Sequence, residues 1–236
     1  PLDLPQGSRI ILRLYGPPDA FKVMQTLSAA APTPDATPQT AFDFLVARSG
    51  VLSISGEGGR EWQVSVLPDR APTVALDGPM DRKADGRMSQ PFVASDDFAI
   101  VGGEVRFELD LPAIDRRYGL SADPEPRPAL VFDLPLPVTG RRADIREVLA
   151  ENASEHPWAN LPVRMTLTVR DALGQTASTE PVSLPLPGRR FFDPLAAAVI
   201  EMRRDLLWSR DNAERVDQIL RAVPHRDHLV ARAPEK

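Results

Sequence analysis

The chain contains no cysteine, which removes a disulfide framework, a thiolate metal site and a cysteine nucleophile together. Lysine is nearly as scarce, occurring only at Lys22, Lys83 and Lys236, so arginine carries almost all the positive charge. Acidic residues outnumber basic ones by 33 to 28, for a formal net charge of −5, and the basic surface that nucleic-acid binding requires is missing. No run of about 18 apolar residues exists to cross a membrane. The first residue is Pro1 rather than methionine, so the chain reads as a piece of a longer protein, with any signal or anchor upstream.

Proline is abundant. Its 25 copies are scattered rather than gathered into a tract, and proline tolerates sheet edges, turns and first helical positions but not central strands or helix interiors. Many short strands fit that distribution. A length of 236 residues, with 42% hydrophobic and 26% charged residues, allows two globular units and a tail. We expect a mainly β protein in which two immunoglobulin-like or fibronectin-like β-sandwich domains precede a short helical segment. The expected boundaries are 1–70 and 71–188 for the sandwiches, 189–224 for the helices and 225–236 for a flexible tail.

The strand signals are local. Arg9 to Tyr15 is a β-branched run closed by Gly16-Pro17-Pro18, and residues 28–40 have no periodicity and read as a loop. Phe42 to Ala47, Val51 to Ser55 and Trp62 to Leu67 follow, the last alternating Trp62, Val64 and Val66 on one face. Gly56-Glu57-Gly58-Gly59 supplies the hairpin between the last two. Its glycines serve positive φ angles, since a phosphate loop would lead into a helix and here a strand comes next. Pro68-Asp69-Arg70-Ala71-Pro72 marks the boundary.

In the second unit, Thr73 to Leu76, Phe92 to Ala94, Gly103 to Leu111, Ala129 to Leu134, Val163 to Val169 and Val182 to Leu186 read as strands. Val105, Phe107 and Leu109 alternate with Glu104, Arg106 and Glu108, the pattern of a strand with one wet face. Ile145, Val148 and Leu149 fall at helical spacing, so a short crossover helix is expected over 143–151. Asp171-Ala172-Leu173-Gly174 reads as a hairpin turn.

The tail carries the sharpest signal. Asp193 is placed to cap a helix that begins at Pro194, where the missing N–H costs nothing. Leu195, Val199, Met202 and Leu206 make an apolar stripe, and the helix should end near 208–210. Asp211 with Glu214 offers a cap for a second helix carrying Val216, Ile219, Leu220 and Val223.

Three phrases, Pro91-Phe92-Val93-Ala94-Ser95-Asp96-Asp97-Phe98, Val169-Arg170-Asp171-Ala172-Leu173-Gly174 and Arg189-Arg190-Phe191-Phe192-Asp193-Pro194-Leu195-Ala196, together with Arg203-Arg204, carry a resemblance from about Pro68 to Pro224. They are similar to the domain of unknown function 4175 family. The resemblance implies a membrane-anchored alphaproteobacterial envelope protein, with transmembrane helices upstream, a periplasmic immunoglobulin-like region here and a helical or glutamine-rich region downstream. No catalytic residues come with it.

Candidate chemistry is sparse. Asp96 and Asp97 could contribute to a Ca²⁺ site, because this hard cation takes several oxygens; successive strand residues point to opposite faces, so a shared site needs a loop, and capping a turn is the simpler role. No other cofactor is expected. His225 and His228 would share a helix face and could hold zinc with a third ligand, but Pro224 favours an extended tail. His156 stands alone between Glu155 and Pro157. Asn152-Ala153-Ser154 matches a glycosylation sequon that a bacterium would leave unread. No G-x-S-x-G elbow occurs.

The function expected from the sequence is therefore a non-enzymatic periplasmic scaffold within an inner-membrane-anchored protein. Its helices, through Val199, Met202, Leu206, Ile219 and Leu220, would engage an envelope protein or a second copy of the chain. A peptidoglycan- or glycan-binding module using exposed aromatics is the alternative, and a hydrolase ranks below both.

Overall fold

Alternation of apolar and polar residues builds most of this molecule, and where alternation stops the chain turns. The structure, a computed structural model, describes residues 1–17, 20–28 and 40–222. The first unit contains β1 (Leu2–Pro5), β2 (Arg9–Arg13), β3 (Lys22–Gln25), β4 (Ala41–Leu45), β5 (Gly50–Ser55) and β6 (Arg60–Leu67). One sheet runs β1-β6-β5-β3, with β1 parallel to β6 and the other pairs antiparallel; β2 and β4 form a second, two-stranded sheet. Leu27, Val46, Leu52 and Val64 are buried between them, with Ile10, Phe44 and Trp62 packed around. Gly56 and Gly58 adopt φ of +139° and +77° in the β5–β6 turn, the conformations expected of that hairpin.

The second unit contains β7 (Thr73–Leu76), β8 (Asp81–Arg82), β9 (Arg87–Ser95), β10 (Ile100–Leu109), β11 (Leu130–Asp133), β12 (Asp144–Asn152), β13 (Pro162–Asp171), β14 (Thr176–Ser178) and β15 (Val182–Pro185). One sheet runs β12-β9-β7, with β8 also on β9; the other runs β11-β10-β13, and β13's far edge is shared by β14 and β15. Phe92, Ile145 and Leu149 from the first sheet meet Val105, Phe107, Met165 and Leu167 from the second in one continuous core. At roughly 1.5–3 kcal/mol per fully buried large apolar side chain, this core dominates the fold's stabilisation.

The segment 143–151 is a strand, not the crossover helix its apolar spacing suggested. Ile145 and Leu149 are four residues apart, which places them on one face in either period, and the nine-residue pairing with β9 from Asp144↔Ser95 to Asn152↔Arg87 decides between the two. Val148, the residue that made the pattern look helical, is on the exposed face.

The described residues close with α1 (Pro194–Trp208), a single 3-10 turn at 210–212 and α2 (Ala213–Ala222). The Asp193 carboxylate accepts the Ala196 N–H at 2.9 Å with Pro194 at the first helical position, as expected. The second cap is different. Ser209, not the Asp211–Glu214 pair, accepts from the Asp211 N–H and starts the turn that leads into α2. Val223, His225 and His228 lie outside the described residues, as does the loop expected over 28–40 for all but its ends.

Candidate functional site

Two places concentrate chemistry. The first is the joint between the two cores. Asp69 lies in the connection from β6 to β7, Asp96 and Asp97 in the β9–β10 turn, and Asp171 at the end of β13. Asp69, Asp96 and Asp97 each bring a carboxylate oxygen within 4.8 Å of the other two. Asp96 is only 6% exposed and spends Oδ2 on the N–H groups of Phe98 and Ala99, at 3.0 and 2.7 Å. Asp171 is 2% exposed, and its Oδ1 accepts the Gln175 N–H at 2.8 Å.

Gln175 then donates its side-chain amide to Asp69 Oδ2 at 2.8 Å, and the Arg70 N–H donates to Asp97 Oδ1 at 3.4 Å. The connection is thereby held to both turns. Three buried oxygens, Asp69 Oδ1, Asp96 Oδ1 and Asp171 Oδ2, receive no hydrogen bond. Among the described residues, no arginine, lysine or histidine forms an ion pair with any of these four carboxylates. Burial raises the Asp69 carboxyl above the usual carboxylate range; the Gln175 hydrogen bond opposes this, and the charges of Asp171, Asp96 and Asp97 add to it.

Asp96 and Asp97 are thus brought together as the sequence suggested, because they sit in a turn rather than along a strand. Asp69 completes the group, and Asp171 adds its charge to Asp69; neither was singled out as a site residue. Asp69 stood in a boundary and Asp171 in a hairpin turn, and nothing in the linear order brought the two together.

The second place is the helical cap. Trp208 and Met202 are buried, and Trp208 donates its indole N–H to the Ala122 carbonyl at 2.8 Å. Asn212 donates to the Gly119 and Asp205 carbonyls, both at 2.7 Å, and Arg127 reaches the Leu207 carbonyl at 2.9 Å. A Cβ on Gly119 would fall inside the Asp205 carboxylate, so only glycine lets this turn approach α1. The expected stripe therefore divides. Met202 is core, and Ile219 is half-buried. Val199 is 47% exposed, and Leu195, Leu206 and Leu220 are also exposed, as is Phe192 just before the helix.

Beside the helix lies a cleft of about 460 Å³ lined in part by His156, Asn160, Arg189, Phe191, Ile200 and Arg203. His156 Nδ1 accepts the Trp158 N–H at 3.2 Å, leaving Nε2 for any other contact. Burial, with the charge of Arg127 second, holds this imidazole below its ordinary value. The tryptophans offer little to a sugar: Trp158 and Trp208 belong to the larger core, and Trp62 is half-buried in the smaller.

Comparison with known proteins gives a family but no activity. The family model described as "Domain of unknown function (DUF4175)" matches residues 1–235. A search of curated proteins returned no match. Among solved structures, a DUF3823 family protein from Bacteroides ovatus ATCC 8483 aligns over 76% of this chain and 99% of its own, at 7% identity and a TM-score of 0.31.

Proposed function

The chain belongs to the DUF4175 family, and we propose that it is a non-enzymatic scaffold region of a membrane-anchored periplasmic envelope protein, whose helical cap docks an apolar segment of a neighbouring envelope protein. The observation that supports this reading is the divided face of α1. One side is buried at Met202, Asp205 and Trp208, with Trp208 joining the larger core, while Leu195, Val199 and Leu206 remain exposed along a helix too firmly docked to turn them inward. Scattered exposed apolar residues are ordinary, but a row along one rigid helix, with Phe192 at its start, provides the spaced anchors of helix recognition.

Photo-crosslinking from position 199 in intact envelopes tests it. A discrete heterologous adduct that disappears in a Val199→Glu, Leu206→Glu double variant, with the fold intact by circular dichroism, is the expected result. An adduct only with a second copy of the chain would move the reading to self-association, and no adduct at all would sink it. Binding to peptidoglycan sacculi is the competing proposal and would be supported by saturable pelleting that depends on the exposed Phe192.

A further inference from the structure

We infer that Asp69, Asp96 and Asp97 form a calcium site that locks the joint between the two sandwiches. An acidic cluster alone would not carry this, since solvated carboxylates often gather on surfaces. Here Asp97 is exposed and Asp69 partly buried, but the cluster reaches into the interior at Asp96. Asp96 and Asp171 are more than nine-tenths buried, and each keeps one oxygen without a donor while spending the other on backbone N–H groups; Asp69 Oδ1 is a third such oxygen. Buried acceptors are nearly always satisfied, because an unmet one costs about 1–3 kcal/mol and more when charged.

The neighbouring charges are all of one sign, so the arrangement repels itself until a cation enters. Size selects the ion. Calcium–oxygen distances of about 2.3–2.6 Å let ligands on opposite sides stand nearly 5 Å apart, whereas magnesium at about 2.0–2.1 Å draws them to near 4 Å. The oxygens of Asp69, Asp96 and Asp97, all within 4.8 Å of one another, lie inside the reach of calcium's wider ligand shell.

The ligands come from two separate places, the connection and the β9–β10 turn. An ion held by both would fix the Pro68–Pro72 connection against the second core. It would thereby fix the angle between the two units, which the existing Gln175–Asp69 and Arg70–Asp97 hydrogen bonds already restrain.

The test is calcium titration of the 236-residue chain after chelation, followed by calorimetry, by thermal unfolding and by tryptic cleavage after the exposed Arg70. One saturable site with a dissociation constant of about 10⁻⁴–10⁻³ M, the range of extracellular modules, is expected. A rise in Tm that magnesium at the same concentration does not reproduce, and protection of Arg70, should accompany it. Asp97 is exposed, so Asp97→Asn should fold normally and weaken calcium binding about tenfold or more, as befits loss of one charged ligand. No binding up to about 10 mM, well above that range, would overturn the site. An equal response to magnesium would overturn its assignment to calcium, and binding without protection of Arg70 would overturn the locking role.

Discussion

Arg215 on α2 places Nη1 2.6 Å from Oδ2 of Asp205 on α1, and Asp205 is completely buried. Arg204 holds the other oxygen at 3.1 Å. The carboxylate thus acts as the knot between two helices and the Gly119 turn. Asp205→Ala should leave both guanidiniums without this carboxylate, but each is partly exposed and can reach water, and Arg215 keeps its place over the Tyr118 ring. We expect a loss of about 2–3 kcal/mol, below the roughly 3–5 kcal/mol for breaking a fully buried pair. Arg215→Met should cost less, because Arg204 remains. Urea unfolding followed by tryptophan fluorescence separates the two, and equal costs would show that the pair acts through packing alone.

Gly119→Ala should push the 118–120 turn away from Asp205 and disturb the Asn212 hydrogen bond to the Gly119 carbonyl. A loss of about 1–3 kcal/mol is expected, in the range of overpacking. The diagnostic is position: hydrogen exchange should quicken in α1 and α2 and stay unchanged in β2 and β4.

His156 supplies a pH dependence of definite sign. Its folded value lies below the ordinary 6.5, so on acidification the unfolded chain takes up the proton first. The stability it contributes is present above about pH 6.5 and is lost as pH falls through the folded value. Nuclear magnetic resonance titration should find this ring less protonated than a free histidine at the same pH, with the neutral form carrying its proton on Nε2. Replacement by glutamine should flatten the corresponding part of the stability curve; an unchanged curve would refute the assignment.

The two cores are chemically separate, and substitutions should report on them separately. Phe92→Ala removes a fully buried ring from the larger core and should cost about 3–5 kcal/mol. Val64→Ala removes two methyl groups from the smaller one, at a cost of about 1–2 kcal/mol. Exchange protection should fall in β9, β10 and β13 for the first and in β5 and β6 for the second. Equal loss throughout the chain would show the two cores unfolding as one.

What could be read from the order of residues was whatever a short window contains. The wet-face alternation of Val105, Phe107 and Leu109 in β10 and the Asp193-Pro194 start of α1 need no distant partner, and both stand as expected. β12 was misread because a four-residue repeat is even as well as helical, so only its pairing with β9 settles it. The stripe on α1 was visible, but which of its members meets the sandwich depends on the turn at Tyr118–Leu120, more than seventy positions earlier. Asp69 and Asp171 stayed hidden for the same reason: their closeness is made by the fold and is absent from any window.

Trp208 lies after every strand whose core it completes. During synthesis, delivered amino end first, the chain has all of Met88 to Leu186 in hand while the indole, and the donor it offers to Ala122, has yet to emerge. The sandwich must then wait, with the 115–127 loop undocked, until nearly the last described helix arrives. The larger core is thus completed from the carboxyl side, after every strand that lines it has been made.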